Sequence, residues 1–314
     1  MLLIVDGHAY AYRAFHAIRH LTSPSGEPTN AIYGFIKMLG KMRDLLHPTH
    51  LVVIWDGGLA EERTAVLPEY KAQRAPMPEQ LEPQLDEIVS YLQAANIASF
   101  CREGVEADDW IATVARQAAN AGTKVVIASS DKDFMQLVSS DIGLFNPNDK
   151  SEAVWTHEQV RVKAGVEPSQ IVDWLSLVGD SVDNIPGVPG VGPKTATDLL
   201  QQFGSVAGIY QHLDDIKSEK LRENLRTAES DVRRNQQLIR LNEEISGEFS
   251  LDELQLKEMD CSRLRELFSR WGFRTMLKEL ATDCRPPSAV RVLRRTGVVT
   301  EHGEAVPVRQ GLLL

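Results

Sequence analysis

Three short apolar runs in the first half of the chain each end close to acidic residues. They are residues 2–5 before Asp6, residues 51–55 before Asp56, and residues 125–128 before Asp131 and Asp133. The apolar positions in each run are consecutive rather than alternating, which is typical of strands buried on both faces of a parallel sheet. The pattern therefore predicts three parallel strands with carboxylates at their C-terminal ends.

Stretches with helical character separate these strands, at about 29–46, 79–95 and 107–121. Strands that alternate with helices predict an α/β fold, with a doubly wound parallel sheet flanked by helices. Ligands of such sheets bind beyond the carboxyl ends of the strands. We therefore expect the acids at the three strand ends to open onto one crevice.

Further acids begin the helix at 107–121 or lie three residues apart near residue 180. With those at the strand ends they make nine: Asp6, Asp56, Glu106, Asp108, Asp109, Asp131, Asp133, Asp180 and Asp183. Taken singly, each is more often a turn former or a partner of the helix dipole. Together, with few basic residues beside them in sequence, they would repel one another unless cations lay between them. Oxygen ligands without His or Cys indicate Mg²⁺ or Mn²⁺ rather than zinc, and the set predicts a two-metal site for phosphoryl chemistry.

A glycine- and proline-rich segment at 184–195 follows the last of these acids. It lies between predicted helices at about 169–178 and 194–203, so it predicts a helix–hairpin–helix unit. Backbone N–H groups at such a helix start can hold a phosphate of a nucleic-acid backbone. The candidates are Gly187, Gly190, Gly192, Lys194 and Thr195.

Two other interpretations of this segment remain. A nucleotide-binding P-loop would need Lys194 directly after Gly192, but Pro193 separates them, and no buried strand leads into the loop. A purely structural turn between two helices stays open, although the glycines are denser than such a turn needs.

A polar stretch at 57–80, closed by Pro76 and Pro78, follows the second strand. If it is helical, Lys71 and Arg74 lie one turn apart and could face the same phosphate, and Tyr70 could stack on a base. Alone it would be an ordinary solvated helix. Beside the acid cluster it is a candidate arch over an active site.

Composition adds modest constraints. The 314 residues are 43% hydrophobic, enough for a proper core, and the net charge of −10 argues weakly against nucleic acid as a partner. We give this charge little weight because the acid cluster contributes to it. No apolar run is long enough to span a membrane, and the N-terminus has no signal-peptide pattern. Cys101, Cys261 and Cys284 form no C-x-x-C pair, which predicts unpaired thiols in a reducing cytoplasm.

Five motifs, in this order, resemble the 5′-nuclease domain of bacterial DNA polymerase I, within the flap endonuclease superfamily. They are VDGHAYAYRAFHA, EYKAQRAPMP, GVEADDWIA, SSDKDFMQL and GDSVDNIPGVPGVGPKTA. The resemblance runs from residue 2 to about 280. It implies a PIN-like nuclease domain at 1–166 with a helical arch at about 57–80, and a helical region at 167–283 with a helix–three-turn–helix unit that binds DNA.

The resemblance also implies roles for individual residues. Asp6, Asp56, Glu106 and Asp108 resemble the ligands of the more tightly held metal, and the remaining five acids, Asp109, Asp131, Asp133, Asp180 and Asp183, resemble those of the second. Arg13, Lys71 and Arg74 match positions that contact phosphates, so they are candidate catalytic residues. Tyr33 and Tyr70 match positions that stack on bases.

The residues at 284–314 lie beyond the resemblance and predict a flexible basic tail. Its charged residues are Arg285, Arg291, Arg294, Arg295, Arg309, Glu301 and Glu304. The last five residues, 310–314, loosely resemble the short peptides that dock on bacterial sliding clamps. The tail is thus a candidate contact for a clamp or a polymerase.

The expected function is a metal-dependent 5′-3′ exonuclease and 5′-flap endonuclease with two Mg²⁺ ions, Mn²⁺ being an alternative. The expected substrates are DNA with 5′ flaps, nicks, 5′ ends and RNA-primed junctions, in primer removal and repair, in the cytoplasm near the nucleoid and without a membrane partner. A non-catalytic DNA-binding module and a PIN-type ribonuclease are the alternatives. The first should have lost some of its acids, and the second is typically shorter and lacks the glycine hairpin.

Overall fold

A six-stranded sheet forms the centre of the molecule in the computed structural model, which describes residues 1–246 and 249–284. The strands are β1 (Leu2–Asp6), β2 (His50–Trp55), β3 (Ala98–Cys101), β4 (Val125–Ala128), β5 (Ile142–Phe145) and β6 (Val154–Trp155). Their order in the sheet is β3-β2-β1-β4-β5-β6, and only β6 is antiparallel to its neighbour. The predicted α/β fold with a parallel sheet is confirmed.

The chain leaves β1 for β2 on one side and later returns to β4 on the other side of β1. The sheet therefore changes its winding direction between β1 and β4. A crevice opens at such a switch point, beyond the carboxyl ends of the strands. Asp6 ends β1 and Asp56 directly follows β2, so both lie at this edge.

Thirteen α-helices are present in the described ranges. They are α1 (Gly7–Ala17), α2 (Asn30–Leu46), α3 (Glu61–Val66), α4 (Glu82–Ala94), α5 (Ala107–Asn120), α6 (His157–Ala164), α7 (Ile171–Val178), α8 (Pro193–Phe203), α9 (Val206–Gln211), α10 (Glu219–Thr227), α11 (Glu229–Ile239), α12 (Cys261–Trp271) and α13 (Arg274–Asp283). The predicted helices correspond to α2, α4, α5, α7 and α8, with boundaries that differ by up to three residues.

Alternate residues of the central strands enter two separate cores. Leu2 and Ile4 face a core that includes α5 and the helices from α6 to α11, whereas Leu3 and Val5 face a core with α1, α2, α4, α12 and α13. This burial on both faces explains the unbroken apolar runs of the sequence. The helices that follow residue 166 are thus divided between the two faces of the sheet.

The sequence pattern missed β3, β5 and β6. Strand β3 has the sequence ASFC and only partly buried or exposed positions, so it lacks an apolar run. Strand β5 contains Gly143, where a Cβ would lie 2.4 Å from the Val154 side chain of β6. Because these strands are short and lie toward the sheet edges, their pairing depends on neighbours that are distant in sequence.

Two of the three cysteines are paired, so the prediction of unpaired thiols is wrong for them. Cys261 begins α12 and Cys284 follows α13, and a disulfide joins them across a Cα–Cα distance of 6.1 Å. The helical hairpin of α12 and α13 brings these two positions together. No local spacing motif in the sequence predicts this disulfide. Cys101 is free and exposed.

None of the helices in the described ranges is both long and apolar enough to cross a bilayer. The predicted basic tail and the 310–314 peptide lie outside the described residues, apart from Cys284. The division into 1–166, 167–283 and 284–314 stays a prediction.

Candidate metal centre and nucleic-acid interface

A cavity of about 460 Å³ lies beyond the carboxyl ends of β1, β2 and β4. Six of the nine predicted acids line it: Asp6, Asp56, Asp108, Asp131, Asp180 and Asp183. They come from three strand ends, the first turn of α5 and the loop after α7. The structure therefore brings carboxylates from across 180 residues of sequence into one crevice.

Asp133 completes the tightest group of acids. Carboxylate oxygens of Asp133, Asp180 and Asp183 all lie within 4.8 Å of one another. Oδ1 of Asp133 is buried and has no hydrogen-bond partner in the described part of the chain. An unpaired buried carboxylate oxygen among other carboxylates is costly unless it binds a cation. The group fits a hard divalent cation, which prefers oxygen ligands.

Burial and mutual repulsion shift these acids toward protonation. Burial raises the pKa of Asp6 to about 6, and nearby Asp131 and Asp56 add to that rise. Burial raises the pKa of Asp108 and of Asp133 well above the ordinary range, and the charge of Asp131 adds to both shifts. Burial likewise raises the pKa of Asp131 itself. A divalent cation would reverse this pressure, because it stabilises the charged carboxylates.

Lys71 lies inside the acid cluster rather than at its open side. Its side chain is 1% exposed, and Nζ donates a hydrogen bond to Glu106 and lies 3.8 Å from Asp108 and 3.9 Å from Asp183. Burial alone would raise the pKa of Glu106, but Lys71 and Arg63 outweigh it and hold that pKa below its ordinary value. Glu106 is 1% exposed and does not line the cavity.

Arg74 and Lys132 are the cations that reach the cavity. Arg74 donates to Asp183 at 2.6 Å, and Lys132 lies 3.1 Å from Asp180. Their side chains are 41% and 39% exposed. The acids have few basic neighbours in sequence, but the fold brings cations to them from other segments.

Asp109 faces away from the cavity. Both its carboxylate oxygens accept hydrogen bonds from Arg63, at 2.6 and 2.7 Å, and Oδ1 also accepts from the backbone N–H of Asn242. Adjacent residues of a helix point about 100° apart, which lets Asp108 face the crevice while Asp109 faces Arg63. Asp109 is committed to a buried ion pair with Arg63 and does not line the cavity with the other acids.

The predicted arch at 57–80 is not a continuous helix. Only α3 is helical; turns follow, and Lys71 has a φ of 55°, which interrupts any helix there. Lys71 and Arg74 are therefore not neighbours on one helical face, although both side chains approach Asp183, and their contact with one phosphate stays a prediction. Tyr70 is 3% exposed, and its hydroxyl donates toward Glu106 and Asp183, so it offers no ring face to a base.

Arg13 and Tyr33 lie away from the cavity lining. The Arg13 guanidinium donates to the carbonyl oxygen of Pro147 at 2.8 Å and to the Asn148 side chain. The Tyr33 ring packs edge-to-face on Phe273, with ring centroids 5.2 Å apart. In these positions neither side chain is brought to the acid cluster.

The glycine segment forms a close-packed hairpin between α7 and α8. A Cβ on Gly187 would lie 2.2 Å from the carbonyl oxygen of Val178, so only glycine fits. Gly190 has a φ of 79°, and Asn224 of α10 donates to the carbonyl oxygen of Pro189. Its first residues form the two-residue strand β8 (Ile185–Pro186), which pairs with β7 (Gly179–Asp180) in a separate sheet, so no strand of the main sheet leads into it as in a P-loop.

Lys194 and Thr195 lie in the first turn of α8, which begins at Pro193. Lys194 and Gly192 are exposed, and Thr195 is partly buried. The exposed end of a helix with a lysine beside it can bind a phosphate. The hairpin thus provides a second polar surface, reached from Asp183 by a short stretch of chain.

Sequence reasoning missed several residues of the cavity wall. His8, Tyr12, Ser129 and Lys132 lie there. Ser129 donates to Asp6 at 2.8 Å and so orients that carboxylate. His8 and Lys132 lie within two residues of predicted acids, which was the available signal.

Family models match almost the whole described chain. The model for the N-terminal resolvase-like domain of 5′-3′ exonucleases matches residues 1–165, and the model for their C-terminal SAM fold matches residues 166–262.

Two relatives illustrate the similarity in sequence. A 5′-3′ exonuclease of Aquifex aeolicus is 38% identical over 279 residues, which cover 89% of this chain and 94% of the relative. DNA polymerase I of Bacillus caldotenax is also 38% identical over 281 residues, covering 89% of this chain but 32% of that protein. The chain thus spans about a third of the polymerase relatives.

Solved structures share the fold. The D15 protein of T5, co-crystallised with metal ions, matches with a TM-score of 0.64 and 22% identity over 90% of this chain and 97% of that protein. The catalytic core of Rad2 in complex with a DNA substrate matches with a TM-score of 0.61 and 16% identity over 91% and 92%. At these identities the likeness concerns the fold.

Proposed function

The chain belongs to the 5′-3′ exonuclease family, so it hydrolyses phosphodiester bonds of DNA, and we propose that two Mg²⁺ ions bound by the cavity acids support the reaction. The donor set consists only of carboxylate oxygens, which suits Mg²⁺ and also admits Mn²⁺. When bound, such ions activate water for attack and stabilise the oxygen that leaves.

The ligands we propose are the acids that line the cavity together with Asp133, while Glu106 lies behind them and is held by Lys71. Asp6, Asp56 and Asp108 converge from two strand ends and α5, and Asp131 lies close to Asp6 and Asp108 as well as to the Asp133–Asp180–Asp183 group. This number of carboxylates supports the proposal of two ions rather than one. Asp109 is left out because Arg63 occupies both its oxygens.

The cations have separate roles in this proposal. Arg74 and Lys132, partly exposed at the cavity, contact phosphate oxygens of the strand as charge develops on them. Lys71 is buried, so it holds Glu106 charged and positions the acids, without touching the strand as the fold stands. Arg13 would contact the strand only if it left Pro147 and Asn148.

The hairpin supplies a sequence-independent contact with the DNA backbone. We propose that the N–H groups around Gly190 and Gly192 and the side chains of Lys194 and Thr195 bind phosphates. Binding there fixes how far the duplex lies from the acids. Terminal bases must unpair to reach the cavity, which favours 5′ flaps, nicks, 5′ ends and RNA-primed junctions over intact duplex.

The setting of the reaction is also part of the proposal. The relatives that are DNA polymerases I suggest primer removal and DNA repair, in the cytoplasm near the nucleoid. A polymerase would then act beside this chain. The 310–314 peptide, outside the described residues, remains a candidate contact for a sliding clamp, which a pull-down with and without it would test.

One observation supports the metal proposal best: Asp133 has a carboxylate oxygen within 4.8 Å of those of Asp180 and Asp183, and its buried Oδ1 has no hydrogen-bond partner among the described residues. The experiment is cleavage of a 5′-flap DNA by Asp133→Asn with Mg²⁺, beside wild type with Mg²⁺ or EDTA. Removing a ligand should lower the rate at least about 100-fold. An all-RNA flap in parallel measures the preference for DNA.

Asp141 offers the matched control. It is an aspartate directly before β5, at the N-terminal end of that strand and away from the cavity, and it is paired with Lys124 at 2.7 Å. Asp141→Asn should cleave at the wild-type rate and bind Mn²⁺ with wild-type stoichiometry. Full activity of Asp133→Asn, or equal wild-type activity in EDTA, would contradict the metal site.

A further inference from the structure

His8 lines the cavity together with Asp6 and Asp56, and it has no role in the proposed binding of metal ions. Its ring is held in one orientation by two contacts. Nδ1 lies 3.1 Å from the backbone nitrogen of Asp56, and the ring packs at 90° to Trp55 with centroids 5.4 Å apart. The imidazole is therefore a fixed part of the cavity wall.

The contact with Asp56 decides which ring nitrogen carries the proton. A backbone N–H can only donate, so Nδ1 must accept with its lone pair. The proton of the neutral ring then lies on Nε2. Nε2 has no hydrogen-bond partner among the described residues and is not among their buried unpaired atoms, so it is open to the cavity.

This tautomer excludes two other roles for His8. A metal ligand at Nε2 would need a lone pair there, with the proton moved to Nδ1, where it would meet the N–H of Asp56. A general base at Nε2 would need the same lone pair. The remaining role for the Nε2–H group of His8 is that of a hydrogen-bond donor.

The chemistry of the cavity identifies the acceptor. The walls carry carboxylates that attract cations: Arg74 pairs with Asp183 and Lys132 with Asp180. A neutral N–H donor is held much less strongly by these acids, so it stays available to a substrate. The group of a nucleic-acid strand that accepts hydrogen bonds here is a phosphate oxygen.

We propose that the Nε2–H of His8 donates a hydrogen bond to a non-bridging phosphate oxygen of the DNA strand at, or next to, the bond that is cleaved. His8 thereby acts as a substrate-binding residue of the cavity wall. The inference rests on the proposed function, because it requires a DNA strand to enter this cavity.

Two substitutions separate the two ring nitrogens. In His8→Asn, the amide oxygen can replace Nδ1 and accept from Asp56, while nothing reaches the position of Nε2. In His8→Gln, the amide N–H can reach the position of Nε2. We expect His8→Asn to bind a 5′-flap DNA about tenfold more weakly, with Ca²⁺ in place of Mg²⁺ and before any cleavage is detected. We expect His8→Gln to stay within about threefold of wild type.

Methylphosphonate DNA identifies the acceptor. This linkage replaces one non-bridging oxygen with a methyl group, and it is placed in turn at the cleaved phosphate and at each neighbour, with the diastereomers separated. At one position His8→Asn should bind no more weakly than wild type, because the oxygen is already gone. A full tenfold loss at all three positions overturns the proposal.

Binding of Mn²⁺ without DNA and thermal unfolding show whether His8 acts through Asp56 or through packing. We expect both to be unchanged in His8→Asn. Weakened Mn²⁺ binding, unchanged DNA binding, or an equal loss in His8→Gln each overturns the proposal. If the wild type itself fails to cleave the flap with Mg²⁺, the proposed function has failed. If the wild type is active and His8→Asn binds DNA as tightly, only the role of His8 is refuted.

Discussion

The ion pair of Arg63 and Asp109 is the most fully satisfied buried charge pair beside the cavity. Besides its two bonds to Asp109, Arg63 donates to the carbonyl oxygens of Leu238 and Arg240, at 3.0 and 3.2 Å. Arg63 is 8% exposed and Asp109 6%. The pair ties α3 to the start of α5 and to the end of α11, so it positions the helix that carries Glu106 and Asp108.

We predict that Arg63→Met lowers the free energy of unfolding by about 3 kcal/mol, because it leaves the carboxylate of Asp109 buried without its cation. Urea unfolding in EDTA measures this. Arg63→Met combined with Asp109→Leu should recover part of the loss, since no buried charge is then left unpaired.

Arg74→Met is the control for this prediction, because Arg74 also pairs with an acid but is 41% exposed. It should leave the unfolding free energy almost unchanged while slowing flap cleavage. If the two arginine variants unfold alike, the buried pair has no special structural role.

At the scale of elements, the hairpin between α7 and α8 depends on close approach of backbones. The N–H of Val188 donates to the carbonyl oxygen of Leu177, and Gly187 packs against Val178. Gly192, five residues further on, has no atom within 4 Å of an added Cβ, and its φ of −97° suits any residue. Gly187 therefore leaves no room for a side chain, whereas Gly192 does.

We predict that Gly187→Ala distorts the hairpin and weakens DNA binding about tenfold or more, without altering any carboxylate. A methyl group 2.2 Å from a backbone oxygen cannot be accommodated without a shift of the hairpin. Binding of flap DNA with Ca²⁺ gives the measurement, and binding of Mn²⁺ without DNA should stay at the wild-type level.

Gly192→Ala should keep the wild-type affinity within about twofold, because it adds the same methyl group in open space. Equal losses in both variants would mean that the backbone N–H groups near 192, rather than the packing at 187, limit the contact with DNA.

The segment at 57–74 shows how an element can be fixed by distant parts of the chain. Ala60 donates to Glu106, Lys71 donates through its backbone to Asp183, and Asn184 donates to the carbonyl oxygen of Glu69. The segment is thus anchored on both the α5 side and the α7–α8 side of the cavity. Its turns follow these anchors instead of the helical spacing of its charges.

At the scale of the molecule, the acid cluster costs stability whenever no cation is bound. The folded-state pKa of Asp6, about 6, lies above the ordinary value of 3.8, and those of Asp108, Asp131 and Asp133 are raised too. A raised carboxyl pKa contributes stability that is present below about pH 4 and is lost as the pH rises through the folded-state value.

We predict that, in EDTA, Asp131→Asn and wild type have similar unfolding free energies near pH 4.5, and that the variant is the more stable by about 1–2 kcal/mol at pH 8. Asn carries no charge to be repelled. Thermal unfolding across this pH range measures the difference, and Asp141→Asn should show no such pH-dependent gain.

Saturating Mg²⁺ or Mn²⁺ should make the wild type more stable than Asp131→Asn at pH 8. The wild-type cluster gains the full binding free energy of the ions, and the variant gains only part of it. A variant that is less stable than wild type at pH 8 in EDTA would contradict repulsion as the dominant effect of Asp131.

The sequence by itself determined the central strands, the α/β class and the acids at the strand ends. These features are local: consecutive apolar residues must be buried on both sides of a strand, and parallel strands bring their carboxyl ends to one edge. The glycine hairpin was also predictable, since few other residues permit such a turn.

Only the tertiary structure decided which way each charged side chain points and what meets it. Asp109 pairs with Arg63, and Lys71 is buried among acids, because segments distant in sequence close around them. The orientation of His8 depends on an N–H at the end of another strand, and the Cys261–Cys284 bridge depends on the packing of two helices. Hydrogen bonds and ion pairs act over a few ångströms in space, and sequence spacing does not encode those distances.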